Sequence, residues 1–208
     1  NVIPPGRIDP VAVALLQRVP LPNASGLTNN LLVPDNARAD RYDQHVVKVD
    51  QVVSPNHRFF VRVARNKRTE VNDYAGFPPE ASPWYQHGRM NVGFAAEATS
   101  VFGPSLVLSS RAGFIRHDFY IQRHGDGFDP TTLGFPSSLV SQAARRSFPQ
   151  INYDGYSAFG SGGGGGASQF TVSDTWSWSE IVSKTTGNHS LKFGGEFRAL
   201  VNDQQNPT

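Results

Sequence analysis

Cysteine is absent from this chain, methionine occurs once, and no stretch approaches the roughly 20 apolar residues that a membrane-spanning helix needs. The first absence excludes disulfides and thiolate metal sites. The last means that any membrane crossing must be made by strands. Charge is scarce too, at 17% of residues with a net +2, and no run of Lys or Arg accompanies it. With no RNA-binding aromatic signature either, nucleic acid is not an expected partner. Also missing are a Gly-x-Ser-x-Gly elbow, a Walker A loop and a His-Glu-x-x-His pair. Nothing marks an enzyme or implies a cofactor or metal. The chain opens on Asn1 without a signal peptide, which reads as an internal cut or a processed end.

What the sequence does have is 20 Gly, 15 Pro and 14 Phe in 208 residues, the punctuation and aromatic content of strands joined by turns. The first 39 residues are irregular. Within them Asp9 as N-cap, Pro10 as first helical residue and apolar Val11, Ala12, Leu15, Leu16 and Val19 predict a short helix over 10–19, stopped by Pro20 and Pro22. A short strand is also predicted over 29–33.

Beyond Arg41 the period becomes two. Phe59, Val61 and Val63 alternate with Arg58 and Arg62; Met90, Val92, Phe94, Ala96 and Ala98 with Arg89, Asn91 and Glu97. Leu106, Leu108, Ala112 and Phe114 oppose Ser109, Arg111 and Gly113, and Leu191, Phe193 and Phe197 oppose Lys192, Glu196 and Arg198. These are two-faced strands. Tight turns at Ser54-Pro55-Asn56-His57, Phe102-Gly103-Pro104-Ser105 and Thr185-Thr186-Gly187-Asn188 alternate with long connections over 68–86 and 124–168. The resulting expectation is an all-β, antiparallel up-and-down meander of about six strands, 41–53, 57–67, 88–102, 105–122, 168–184 and 189–202.

Strands long enough for the roughly 9–11 residues that cross a bilayer, with all long loops at one end, point to a transmembrane barrel. Its face bearing Lys48, Asp50, Arg58, Arg62, Arg89, Glu97, Arg111, Lys192, Glu196 and Arg198 should line the interior. A soluble sheet with one wet face gives the same alternation. In 168–184 the acids Asp174 and Glu180 share a parity with Phe170, Val172, Trp176 and Trp178. Either a bulge changes register there, or the acids sit near the interfaces with the tryptophans in an aromatic girdle.

Several motifs together resemble a known family. They are Asn1-Val2-Ile3-Pro4-Pro5-Gly6-Arg7-Ile8-Asp9-Pro10-Val11-Ala12 with Leu15-Leu16 and Pro20-Leu21-Pro22-Asn23, then Asn29-Asn30. Arg41-Tyr42-Asp43-Gln44-His45-Val46-Val47-Lys48-Val49-Asp50 and Asn188-His189-Ser190-Leu191-Lys192-Phe193-Gly194-Gly195-Glu196-Phe197-Arg198 follow. This order is similar to TonB-dependent outer-membrane receptors of the Oar-like type, which carry a carboxypeptidase-regulatory-like domain. The resemblance implies a 22-stranded barrel in the bacterial outer membrane closed around a plug, of which this chain supplies about six strands. Neither the plug, the TonB box, the regulatory-like domain nor the final strand is matched. Lipid, the plug and remaining barrel, and indirectly the TonB complex would be the partners, in uptake of a nutrient such as a saccharide or chelate. A surface or adhesin barrel without transport and a soluble, secreted, glycan-binding β-sandwich are the alternatives.

Candidate ligand contacts are the aromatics of the first long loop, Tyr74, Trp84 and Tyr85, with Phe77 nearby, and Arg89 on the interior face. Packing among the loops would explain the aromatics equally, and an ion-pair ladder across strands would explain the charges. The glycine run 162–166 reads as loop. His124, Asp126 and Asp129 read as turn chemistry, with a cation site as the sharper alternative.

Overall fold

The computed structural model describes residues 3–26, 30–31, 38–72, 76–155, 158–160 and 168–205. Six strands, β1 (Arg38–Ser54), β2 (His57–Asn72), β3 (Tyr85–Val101), β4 (Leu106–Arg123), β5 (Gln169–Thr186) and β6 (His189–Gln205), form one open antiparallel sheet in chain order. Each is 16–18 residues long, about three times the usual soluble strand. β1 and β6 are the edges of the sheet. The all-β meander expected from the period-two segments is the observed fold.

The strands run further toward the long loops than the alternation indicated. β1 starts at Arg38, β2 continues to Asn72, β3 begins at Tyr85 and β6 ends at Gln205. Backbone pairing persists there although both faces have turned polar, so the side-chain period fades before the ladder does. The helix, α1 (Pro10–Leu16), is shorter than the predicted 10–19. The Asp9 side chain caps it by accepting from the Val11 amide at 2.7 Å, and Gln17 ends it. Single-turn bonds Arg18 N–H to Leu15 O and Val19 N–H to Leu16 O then lead into Pro20. Asn30 and Leu31 lie in no strand, and the rest of the predicted 29–33 segment falls outside the described residues.

Register is continuous from β2 through β6; the one irregularity lies in β1, between Val52 and Ser54. No bulge therefore moves the acids of β5. Asp174 stays beside Trp176 and is answered by Arg116, its register partner on β4, through two hydrogen bonds of 2.7 and 2.6 Å. Glu180 accepts from the Ser110 hydroxyl at 2.7 Å, again across a register pair.

Among the described residues the buried hydrophobic core lies outside the sheet. It consists of Leu15, Ala81, Leu133, Phe148 and Phe159, with Val11, Val19, Phe77, Phe128, Phe135 and Ile151 packed around it. These residues come from the N-terminal segment and the two long connections, which fold together into a cap. A second helix, α2 (Ser137–Val140), belongs to it. Phe159 pairs with Ile151 by two backbone bonds, and Gly160 N–H donates to Ala81 O at 3.2 Å. Buried Arg123 ties cap to sheet: its amide donates to the Ser168 hydroxyl and its Nη1 to Pro83 O, while its guanidinium lies 4.8 Å from the Tyr85 ring centre.

Candidate functional site

Register sorts the side chains onto two faces. One carries Val47, Val49, Phe59, Val61, Val63, Phe94, Ala96, Ala112, Phe114, Trp176, Trp178, Phe193, Phe197 and Val201. Many of these are open to the surroundings: Trp178 is 54% exposed, Phe193 59% and Phe197 66%. Interrupted midway by the hydrogen-bonded Ser110–Glu180 pair, the apolar stretch covers 106–114 on β4 and 191–201 on β6, matching the roughly 9–11 residues of a tilted crossing. Phe94, Phe114 and Trp176 form a row at its long-loop boundary, with Phe114 and Trp176 ring centres 4.3 Å apart. The next row on this face is His45, Arg65, Val92, Arg116, Asp174 and Val201. Aromatics flanking an apolar band and charges just beyond them are the order in which a bilayer is crossed.

The opposite face carries all ten charged residues expected inside. Within the apolar height, six cations (Lys48, Arg58, Arg62, Arg111, Lys192 and Arg198) stand against three carboxylates, Asp50, Glu97 and Glu196. Arg111 bonds Glu97 across strands at 3.0 Å, whereas Lys48–Asp50 and Arg198–Glu196 pair within one strand, both at 2.7 Å. Small residues interrupt this face. A Cβ on Gly93 would come 2.6 Å from the Phe114 carbonyl oxygen, and one on Gly194 would run into the Glu180 carbonyl.

Toward the loops the same face becomes an amide row of Gln44, Asn66, Asn91, His117, Ser173 and Asn202. Asn91 donates to Asn66 at 2.7 Å and faces His117 Nδ1 at 2.5 Å, while Ser173 donates to Asn202 at 2.7 Å. Above it sits an ionic hub. Glu70, only 1% exposed, takes His87 Nε2 at 3.0 Å, Arg68 Nε at 3.2 Å and Arg89 Nη2 at 3.8 Å, and also contacts Arg38. Arg68 grips Asp40 through two further bonds of 2.9 and 2.6 Å. A buried carboxylate with this many cationic neighbours is fully engaged and orients them. Arg89 remains partly open, beside a polar hollow of about 420 Å³ lined by Asp40, Tyr42, Asn66, Arg68 and Asn91.

Of the sequence-derived candidates, Arg89 lies in this hub and Tyr85 stands at the start of β3 on the same face, its ring 5.8 Å from that of His87. Trp84 is half-buried in the cap, its amide donating to Ser82 Oγ at 3.2 Å. Tyr74 lies outside the described residues, as does the glycine run 162–166. Phe77 stacks on Phe159 at 6.1 Å, inside the cap core. Asp126 accepts from Arg145 and Ser168, and Asp129 caps the turn at Thr131. The two bonds from Thr131, backbone first, lower the Asp129 pKa, and burial lowers that of His124. His117 and Asp118 point to opposite faces. Glu70, Arg38 and His87 were not among the candidates, because only the register brings them together.

A meander with a mostly apolar, lipid-accessible outer face and a charged inner one is a section of transmembrane β-barrel wall. A family model for the outer membrane beta barrel domain matches residues 1–208, and the chain belongs to that family, placing it in the bacterial outer membrane. Comparison with curated proteins and with solved structures returns no match. The outer-membrane assignment displaces the soluble-sandwich alternative.

Proposed function

We propose that this chain is wall and external cap of a TonB-dependent transporter, with Arg89, Tyr85 and Trp84 contributing to the path of an incoming nutrient ligand. The observation that carries this reading is the inner face, which holds the charged and amide rows and is richer in cations than in carboxylates, with apolar residues such as Val46, Phe60 and Ile115 among them. Such a wall needs water or a polar plug against it, and it favours a ligand with negative charge, such as a carboxylate-bearing chelate, over a neutral saccharide. The resemblance to Oar-like receptors supplies the plug and the TonB complex as partners. A surface or adhesin role without transport is the second reading, favoured by the cap, whose own hydrophobic core makes a folded external platform.

The test is uptake by cells carrying the intact protein, with a panel of ferric chelates and oligosaccharides as probes. Transport predicts accumulation of an anionic chelate that stops on deleting TonB or adding a protonophore, and that falls in Arg89→Ala. Normal accumulation without TonB, or crosslinking that finds no contact between the protein and TonB, would contradict it and leave the surface role.

A further inference from the structure

We propose that Arg65, Lys67 and Arg116 on the outer face hold the phosphate of a phosphorylated glycolipid in the outer leaflet of the membrane. All three share the face of Val63, Phe94 and Phe114, so they look toward lipid and not into the barrel. They are the first cations beyond the apolar band, at the long-loop end, which in barrels of this class is the external one. The inference rests on the membrane assignment and holds whether or not the barrel transports.

Arg65 and Arg116 lie in one register row with Val92 between them. Two strand spacings put their Cα atoms roughly 10 Å apart, a gap that two long side chains can close around one phosphate. Lys67, two residues along from Arg65, faces Met90 and completes a triangle whose floor is apolar. Directly below, Phe94 and Phe114 offer a surface for acyl chains.

The charge pattern favours an outside anion. Among the described residues, the contact given for the Arg65 guanidinium is Met90 Sδ at 3.7 Å, and Lys67 has no carboxylate within ion-pair distance. Asp43, opposite Lys67, is held by Arg41 at 3.1 Å. Arg116 is fixed by Asp174 yet stays 49% exposed, so its guanidinium is positioned and still reachable. Asp118, opposite Met90, is the remaining acid near the triangle. The Arg65 guanidinium can meet phosphate oxygens in pairs; Arg116, whose Nε and Nη2 are taken by Asp174, offers its remaining edge, and cations at the headgroup level attract anionic lipid.

The experiment uses the intact protein in phosphatidylcholine nanodiscs containing lipid A as a minor component, with retained lipid read by native mass spectrometry. Wild type should retain lipid A about tenfold better than Arg65→Gln/Lys67→Gln, and about tenfold better than it retains the dephosphorylated lipid. The charge-keeping Arg65→Lys/Lys67→Arg should recover most of the retention, and Lys192→Gln, on the inner face, should change nothing. Equal retention of phosphorylated and dephosphorylated lipid by wild type would overturn the proposal, even if the neutralised variant fails to assemble. So would unchanged retention in that variant.

Discussion

In the cap, Phe148 and Phe159 are 1% and 3% exposed; in the sheet, Trp176, Phe193 and Phe197 are 50%, 59% and 66% exposed. Both sets are aromatic and belong to one chain, so composition does not separate them. What separates them is the solvent each faces. The cap closes its aromatics against one another because water lies outside it. At the height of the apolar band the sheet turns most of its aromatics outward because hydrocarbon lies there, and keeps nine charges on the inner side, with Glu180, bonded to Ser110, on the outer one. A water-soluble sheet would have to cover such a face, since patches this large draw partners or aggregate. Here the bilayer is the cover.

That contrast can be broken most strongly in the cap. Phe148→Ala should remove about 3–5 kcal/mol from cap stability, seen as lost hydrogen-exchange protection around Phe159 and Ile151 while strand amides near Ala112 stay protected. If the sheet opened together with the cap, the two would form one cooperative unit. Next comes the outer face. Ala112→Arg should cost about 2–4 kcal/mol in a folding titration into lipid, against little for Ser179→Arg on the inner face. Equal penalties would erase the distinction between faces.

A smaller effect is expected at the hub, where Glu70→Gln leaves Arg38, Arg68 and Arg89 without their shared carboxylate. The loss should be about 1–3 kcal/mol, reduced by solvent around the exposed guanidiniums. It would be read as local opening of the β2–β3 end in hydrogen exchange, and an unaltered pattern there would show the hub to be unimportant for order. The smallest effect is a pH response of the cap. Because the folded-state pKa of His124 is lowered by burial, its contribution is complete above the unfolded value near 6.5 and declines as pH falls below it. Cap protection should therefore weaken slightly between pH 7.5 and 5, and His124→Gln should flatten that trend.

The parts of this design legible in the sequence were those governed by short-range repetition. Alternation at 57–65, 89–100 and 189–201 marked both faces, because each residue's direction in a strand follows from parity alone. The tight turns were legible through their Pro, Asn and Gly. The cap core was not, since Phe148, Phe159 and Leu133 come from irregular segments with no period to expose them. The hub was also hidden: Glu70 meets Arg38 and His87 only once the register of three strands is known. Asp174 looked like a breach of the apolar face until its partner appeared, because Arg116 is 58 residues away in the chain. At the candidate site, Arg89 and Tyr85 fell on the inner wall by parity, whereas the surroundings that orient Arg89 needed the fold.

The most direct test uses the absence of cysteine. Neighbouring Ala95 and Ala96 on β3, and Ala112 and Gly113 on β4, are to point to opposite faces. Each is replaced in turn by a single cysteine in the intact protein, spin-labelled and reconstituted into bilayers. The collision rate with oxygen is then compared with that of a water-soluble nickel chelate. Labels at 96 and 112 should respond to oxygen, with those at 95 and 113 shielded from lipid. Equal access of the nickel chelate to all four positions would contradict a lipid-facing outer wall.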